Sequence, residues 1–168
     1  LRPANDAQSL HDPDIHVVIH HPSQLSWLRT HSPEPPPSVW LRYVGDLQYS
    51  GMSTCTYRQA YELAETLRHA GRIRMIGHFN HYAQADHQDG LNTARQQFMQ
   101  AIRGLRGPVS TSNSAALLQH RRHTTMDDWV RPGLMLYGAS PLAHCTGSQL
   151  GLRPALSLQS ELTGIPNA

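Results

Sequence analysis

Short runs of β-forming residues alternate with helical patterns along this chain, and that alternation limits the fold more than any other feature. The runs are His16–His20, Val39–Val44, Arg74–His81, Pro108–Asn113 and Trp129–Arg131. They recur at intervals of roughly 20–35 residues, the spacing at which parallel strands are joined by crossover helices. An open doubly wound sheet and part of a (β/α)8 barrel both satisfy this pattern. A complete barrel typically needs about 250 residues. With 168 residues the chain is therefore either an open sheet or a piece of something longer.

The intervening helices have readable ends. Thr56-Tyr57-Arg58-Gln59 has the form of a capping box, and Ala60, Leu63, Ala64 and Leu67 follow as one apolar stripe. Gly71 ends that helix as a left-handed cap would. The next stripe is Ala94, Phe98, Ala101, Ile102 and Leu105, stopped by Gly107-Pro108. A shorter helix over Pro22–Thr30 carries Leu25, Trp27 and Leu28. The proline-rich connector Ser32–Ser38 can be neither helix nor inner strand.

Composition excludes several classes. A net charge of +2 with scattered arginines gives no nucleic-acid footprint. No apolar run is long enough to cross a bilayer. The polar start, LRPANDAQSLHD, does not begin with methionine and resembles neither a signal nor a transit peptide. Cys55 and Cys145 form no CxxC pair and suggest a reducing, cytoplasmic setting. All 14 basic residues are arginine, so the chain contains no lysine.

Two stretches could carry chemistry. Ser112-Asn113-Ser114 lies at the end of the fourth run, just before a helix, and offers free N–H groups and hydroxyls either to an anion or merely as a helix cap. Asp128-Trp129-Val130-Arg131-Pro132-Gly133 then places an arginine inside an apolar run, followed by a sharp turn. Gly133 lets backbone approach a ligand closely, and Leu134–Tyr137 is expected to form one helical turn ending at Gly138. In barrels, phosphate is often held by the last two strand-end loops and a short extra helix, and these two stretches are spaced as those loops would be. The structural alternative for Arg131 is a buried ion pair with Asp127 or Asp128. The 12 histidines include pairs at HxxH spacing, His78/His81 and His120/His123, but none has a partner at firm metal-ligand spacing, so no metal site is assigned.

SNSAALL, DDWVRPGLMLYGASPL, GLRPALSLQSEL, IRMIGHFNHYAQAD and VIHHPSQLSWL together resemble bacterial alanine racemases, above all the catabolic type. The resemblance covers nearly the whole chain and only the middle of the family's usual length. It implies a fold-type III pyridoxal-phosphate barrel, an internal fragment in which residues 1–145 are part of the barrel. Residues 146–168 would be the linker and first strand of a C-terminal β domain. It also implies interconversion of L- and D-alanine, and a homodimer in the full-length family. By position, Arg131 matches the arginine that donates to the pyridine nitrogen. Ser114 and the N–H groups of Gly133 and Leu134 match the phosphate cradle. His81 matches the histidine supporting that arginine, and Asn113 matches a neighbouring asparagine. His78 falls where the family usually has an apolar residue.

The departures are specific. Where the family has KxDTGMxRLG, this chain has Arg42 in place of the lysine and Tyr49 in place of the arginine that meets the cofactor's phenolic oxygen. The lysine that would attach the cofactor has no counterpart, and neither does the tyrosine that serves as second base. Two other readings follow from the residues: a non-catalytic homologue binding pyridoxal phosphate or another phosphate, and a histidine-rich metal-binding or interaction module.

Overall fold

The computed structural model describes residues 9–44, 50–157 and 159–161. Four strands, β1 (His16–Ile19), β2 (Ser38–Arg42), β3 (Met75–Phe79) and β4 (Val109–Ser110), form one sheet in the order β1-β2-β3-β4. Every pairing is parallel. A doubly wound sheet reverses its strand order at a switch point. Here the order never reverses, so successive right-handed crossovers stack their helices on one side, as in the wall of a barrel. The fold is a partial (β/α) barrel.

The crossovers are α1 (Pro22–His31), α2 (Thr54–His69) and α3 (Asn92–Ala101), with a short α4 (Ser114–Gln119) after β4. The register sorts the strand residues into two faces. Ile19, Leu41 and His78 align on the side toward the helices, as do Val39 and Ile76. All are buried, packed with Leu25, Leu28, Tyr57, Ala64, Leu67 and Phe98. Each fully buried Leu, Ile or Phe contributes about 1.5–3 kcal/mol. The opposite face is polar and aromatic and remains half open. There Trp40 lies across Gly77, where any Cβ would overlap the indole ring, so the glycine is required by close approach.

Several sequence-based expectations are corrected. The capping box expected at Thr56–Gln59 is absent: α2 begins at Thr54 behind Ser53, whose hydroxyl donates to Thr56 Oγ1 at 3.2 Å instead of capping backbone. A true capping box precedes α1, where His21 Nδ1 accepts from Ser23 N–H and Gln24 Oε1 accepts from His21 N–H. Histidine is not a usual N-cap residue, so the residue types at this position do not announce a cap. Helix α3 ends at Ala101, with the chain turning at Gly104 before it reaches Gly107-Pro108. The expected fourth strand shrinks to Val109–Ser110, and Trp129–Arg131 is not a strand. That segment still runs beside β4, with Trp129 N–H donating to Val109 O and Arg131 N–H to Ser112 O. Gly71 does end α2 in the left-handed region, and Leu134–Tyr137 forms one 3-10 turn closed by Gly138 at φ 82°. No helix among the described residues is long and apolar enough to cross a membrane.

One buried polar group sits inside the helix-facing core. His78 is 1% exposed. The Tyr57 hydroxyl lies 2.7 Å from its Nδ1, its Nε2 lies 3.2 Å from Arg106 O, and Tyr61 stacks on the ring. These partners fit the neutral ring with the proton on Nε2, Tyr57 donating to Nδ1. Burial pushes the His78 pKa down from 6.5 to about 4. Below pH 6.5 the unfolded chain gains a proton at this residue that the folded chain refuses. His78 is therefore expected to cost stability progressively between pH 6.5 and about 4, on the order of 1.4 kcal/mol per pH unit. Urea unfolding across that range should show a clearly shallower decline for His78→Phe than for the parent. Equal slopes would mean that another group governs acid sensitivity.

Candidate functional site

The C-terminal ends of β3 and β4 and the 127–137 segment meet at one rim. What gathers them is Asp127. Its carboxylate accepts Thr111 N–H at 3.1 Å, Thr111 Oγ1–H at 2.7 Å and Ser112 N–H at 2.7 Å. Amides committed to a carboxylate cannot extend a ladder, so β4 stops and Thr111–Asn113 turns outward into α4. Asn113 caps α4 by accepting Ala116 N–H at 2.9 Å and donates its amide to Tyr82 O at 3.0 Å.

Arg131 projects into this rim. It donates to Ser110 Oγ at 2.6 Å, to Asn80 O at 2.8 Å and to Thr111 O at 3.5 Å. Its guanidinium carbon lies 4.0 Å from the Phe79 ring centroid, a close cation–π contact. The alternative of an ion pair is corrected: Asp127 is engaged with backbone, and Asp128 accepts Val109 N–H at 2.8 Å. Burial lowers the Arg131 pKa to about 10, with the Asp127 field opposing and the Arg42 field adding to the fall. The group stays cationic at neutral pH, held by neutral oxygens and a π face.

The expected phosphate elements come together. Met135 N–H donates to Ser114 Oγ at 3.2 Å, which seats the 133–137 turn against the start of α4. That bond uses the Ser114 oxygen as acceptor and leaves its hydroxyl proton to donate. The N–H groups of Gly133 and Leu134 donate to no atom among the described residues. A side chain added at Gly133 would meet open space, so its φ of −95° does not demand glycine and the room around it is its distinguishing property.

His81 stands at the mouth, its backbone N–H held by Asn80 Oδ1 at 2.8 Å. Its pKa is lowered by partial burial first, then by the fields of Arg131 and Arg42. No hydrogen bond joins His81 to Arg131 among the described residues. A cavity of about 280 Å³ opens beside it, between Tyr43, Asn80, Asp89 and Thr93. A second, of about 290 Å³, lies on the open face of the sheet between Trp40, Phe79, Trp129 and Arg131. Arg42 ends β2 in register with Phe79. Tyr49 lies outside the described residues. His78 faces the helices, away from His81; the His120 and His123 rings lie 6.4 Å apart, but His120 bonds the Ala85 and His87 carbonyls. Among the described residues no three His, Cys, Asp or Glu side chains gather as a metal site would require.

Phe79, Asn80 and Ser110 were not singled out from the sequence. The register Arg42–Phe79–Ser110, set by pairing across three strands, reveals Phe79 and Ser110, and Asn80 follows at the end of β3 with its N–H on Ser110 O.

The chain matches the family model described as alanine racemase, N-terminal domain, over residues 2–141. It is 36% identical over 152 residues to an alanine racemase of Thiobacillus denitrificans, covering 90% of this chain and 40% of that protein. An alanine racemase of Ralstonia nicotianae is 37% identical over 150 residues, covering 89% of this chain and 39% of its own. Among solved structures, the biosynthetic alanine racemase of Pseudomonas aeruginosa superposes with a TM-score of 0.76 at 28% identity, over 91% of this chain and 41% of that one. Alanine racemase of Acinetobacter baumannii gives 0.72 at 30% identity, over 91% and 41%. The chain thus spans about two fifths of the length of these relatives.

Asp127→Ala should remove three hydrogen bonds to one carboxylate and lower stability by about 2–3 kcal/mol, read from urea unfolding. Asp127→Asn, which keeps an acceptor oxygen, should lose roughly half as much. Equal, negligible losses would show that the carboxylate does not hold the rim.

Proposed function

The chain belongs to the alanine racemase N-terminal domain family, and from that premise we propose that it is the pyridoxal-phosphate-binding part of an enzyme that interconverts L- and D-alanine. The observation carrying this reading is the convergence of Arg131, Ser114 and the Gly133 and Leu134 amides, unpaired among the described residues, at one strand-end rim. In the same proposal residues 1–145 are barrel, residues 146–168 lead toward a further β domain, and the full-length protein is a cytoplasmic homodimer. Trp129, Val130, Leu136 and Tyr137 are exposed apolar residues beside the rim, which supports further protein packing there.

The residues fit the cofactor. Arg131, fixed by Ser110, Asn80 and Phe79, can direct a remaining N–H toward a ring nitrogen. Being charged at neutral pH, it donates to that nitrogen and gives no proton up. Ser114 Oγ–H and the Gly133 and Leu134 N–H groups can donate to a phosphate at the start of the 3-10 turn. His81, kept neutral, can pack beside the ring. Asn113 has its amide committed to the α4 cap and Tyr82, so its part is to hold Ser114 in place. When bound, the cofactor supplies an electron-withdrawing ring that acidifies the α-proton of an attached amino acid. Racemisation also needs an amine for attachment and a base on each face of the substrate. With no lysine among its 168 residues, this chain does not supply that amine from a side chain.

Arg42 and Tyr49, standing where the family has a lysine and an arginine, favour as second reading a homologue that binds the cofactor without catalysis. Both readings predict binding. Pyridoxal phosphate titrated against the chain should bind non-covalently. Arg131→Ala and Ser114→Ala should each weaken binding by roughly 1.5–3 kcal/mol, about tenfold to a hundredfold in affinity. Borohydride should fix no cofactor on any side chain, and the chain alone should form no D-alanine. Equal binding by all three proteins, or none, removes the cofactor seat. D-Alanine formation free of host racemase would overturn the expectation of inactivity and select catalysis.

A further inference from the structure

At the C-terminal end of β1 and β2 two side chains stand next to each other. Ile19 pairs with Leu41, and one residue further the same register sets His20 beside Arg42. Alternation puts both on the open face that Val18 and Trp40 share. Each carries a buried nitrogen without a hydrogen-bond partner: His20 Nδ1 and Arg42 Nε. Among the described residues the only other buried side-chain atom of this kind is Gln119 Oε1 on α4. Two of three orphaned atoms are thus neighbours, on one face, at the end where ligands meet such sheets.

The charge around them is one-sided. Arg42 lies over the Phe79 ring, its guanidinium carbon 5.7 Å from the centroid, and Arg131 lies over the same ring at 4.0 Å. Arg131 commits three of its N–H contacts, from both terminal nitrogens, to Ser110, Asn80 and Thr111. Arg42 forms no side-chain hydrogen bond or ion pair among the described residues. The acid that acts on Arg131, Asp127, is already committed to Thr111 and Ser112. Two like charges sharing one ring, one of them with a buried unspent donor, are unfavourable unless an anion joins them.

We propose that Arg42, with His20 beside it, forms a carboxylate-binding site, and that this site holds the carboxylate of the amino acid acted on at the rim. It rests on the racemase reading for the identity of the carboxylate. The planar guanidinium fork matches the two oxygens of a carboxylate. A phosphate has its donors elsewhere, at Gly133, Leu134 and Ser114. His20 adds a second donor once protonated. Burial first, then the Arg42 field, lowers its pKa, while a backbone hydrogen bond to Ser50 pulls the other way. An anion between the two groups cancels the Arg42 field and lets Nδ1 take up a proton.

The test is an NMR pH titration of His20 in the full chain, assigned with His20→Gln. It is run in acetate, L-alanine, inorganic phosphate and chloride at equal ionic strength. Acetate and L-alanine should raise the His20 pKa by about 1 unit over chloride, as an opposite charge within contact distance does. Phosphate should raise it distinctly less. Arg42→Gln should abolish the carboxylate-induced rise. Should that variant fail to fold, Arg42→Lys keeps the charge without the fork and should weaken acetate binding several-fold. A His20 pKa indifferent to carboxylate, an equal response to phosphate, or an unchanged response in either Arg42 variant overturns the site. Such a failure beside intact cofactor binding leaves the racemase reading standing. A carboxylate response without cofactor binding removes that reading and keeps the site.

Discussion

Asp127 decides how the rim is built. By taking the Thr111 and Ser112 amides it ends β4 after Ser110 and commits the chain to the α4 cap. The same carboxylate pins the returning segment against β4, so that Arg131 N–H reaches Ser112 O. The Arg131 guanidinium and the 133–137 turn are then delivered to the same place. Without that link, Ser114 and the Gly133 and Leu134 amides would have no common site, however well their sequences suit a phosphate.

The sheet divides labour between its faces. The helix-facing side is sealed by aliphatic residues and by the Tyr57–His78–Arg106 hydrogen bonds. This side supplies the burial that holds the arc together. The other side collects Trp40, Arg42, Phe79 and Arg131, groups that are expensive to bury without partners. Phe79 is the meeting point. Its π face stabilises Arg131 where no carboxylate is available, and the same ring brings Arg42 into that field. A cation held this way keeps its donors for a ligand, whereas an ion pair with Asp127 would have consumed them.

Much of the architecture was legible from the sequence for a physical reason. Helical and strand periodicities are local, so the three crossover helices, the Gly71 stop and the Leu134–Tyr137 turn could be placed without a fold. Motif spacing likewise pointed to Ser114, Arg131 and Gly133. The misreadings also share a cause. Thr56 looked like a helix cap, and Asp127 looked like a partner for Arg131, because sequence names donors and acceptors but not which of them meet. Ser53 and the Thr111 and Ser112 amides settled those choices in space.

The sequence by itself therefore determined the βα alternation, the absence of lysine and the residue types gathered at the rim, since each is written in local pattern or composition. Tertiary structure alone decided the rest. Parallel register, a non-local property, put Arg42, Phe79 and Ser110 in one row and His20 beside Arg42. Whether Arg131 faced a carboxylate or an aromatic ring depended on where Asp127 was already spent, and that is fixed only when residues 15 to 20 positions apart are brought into contact.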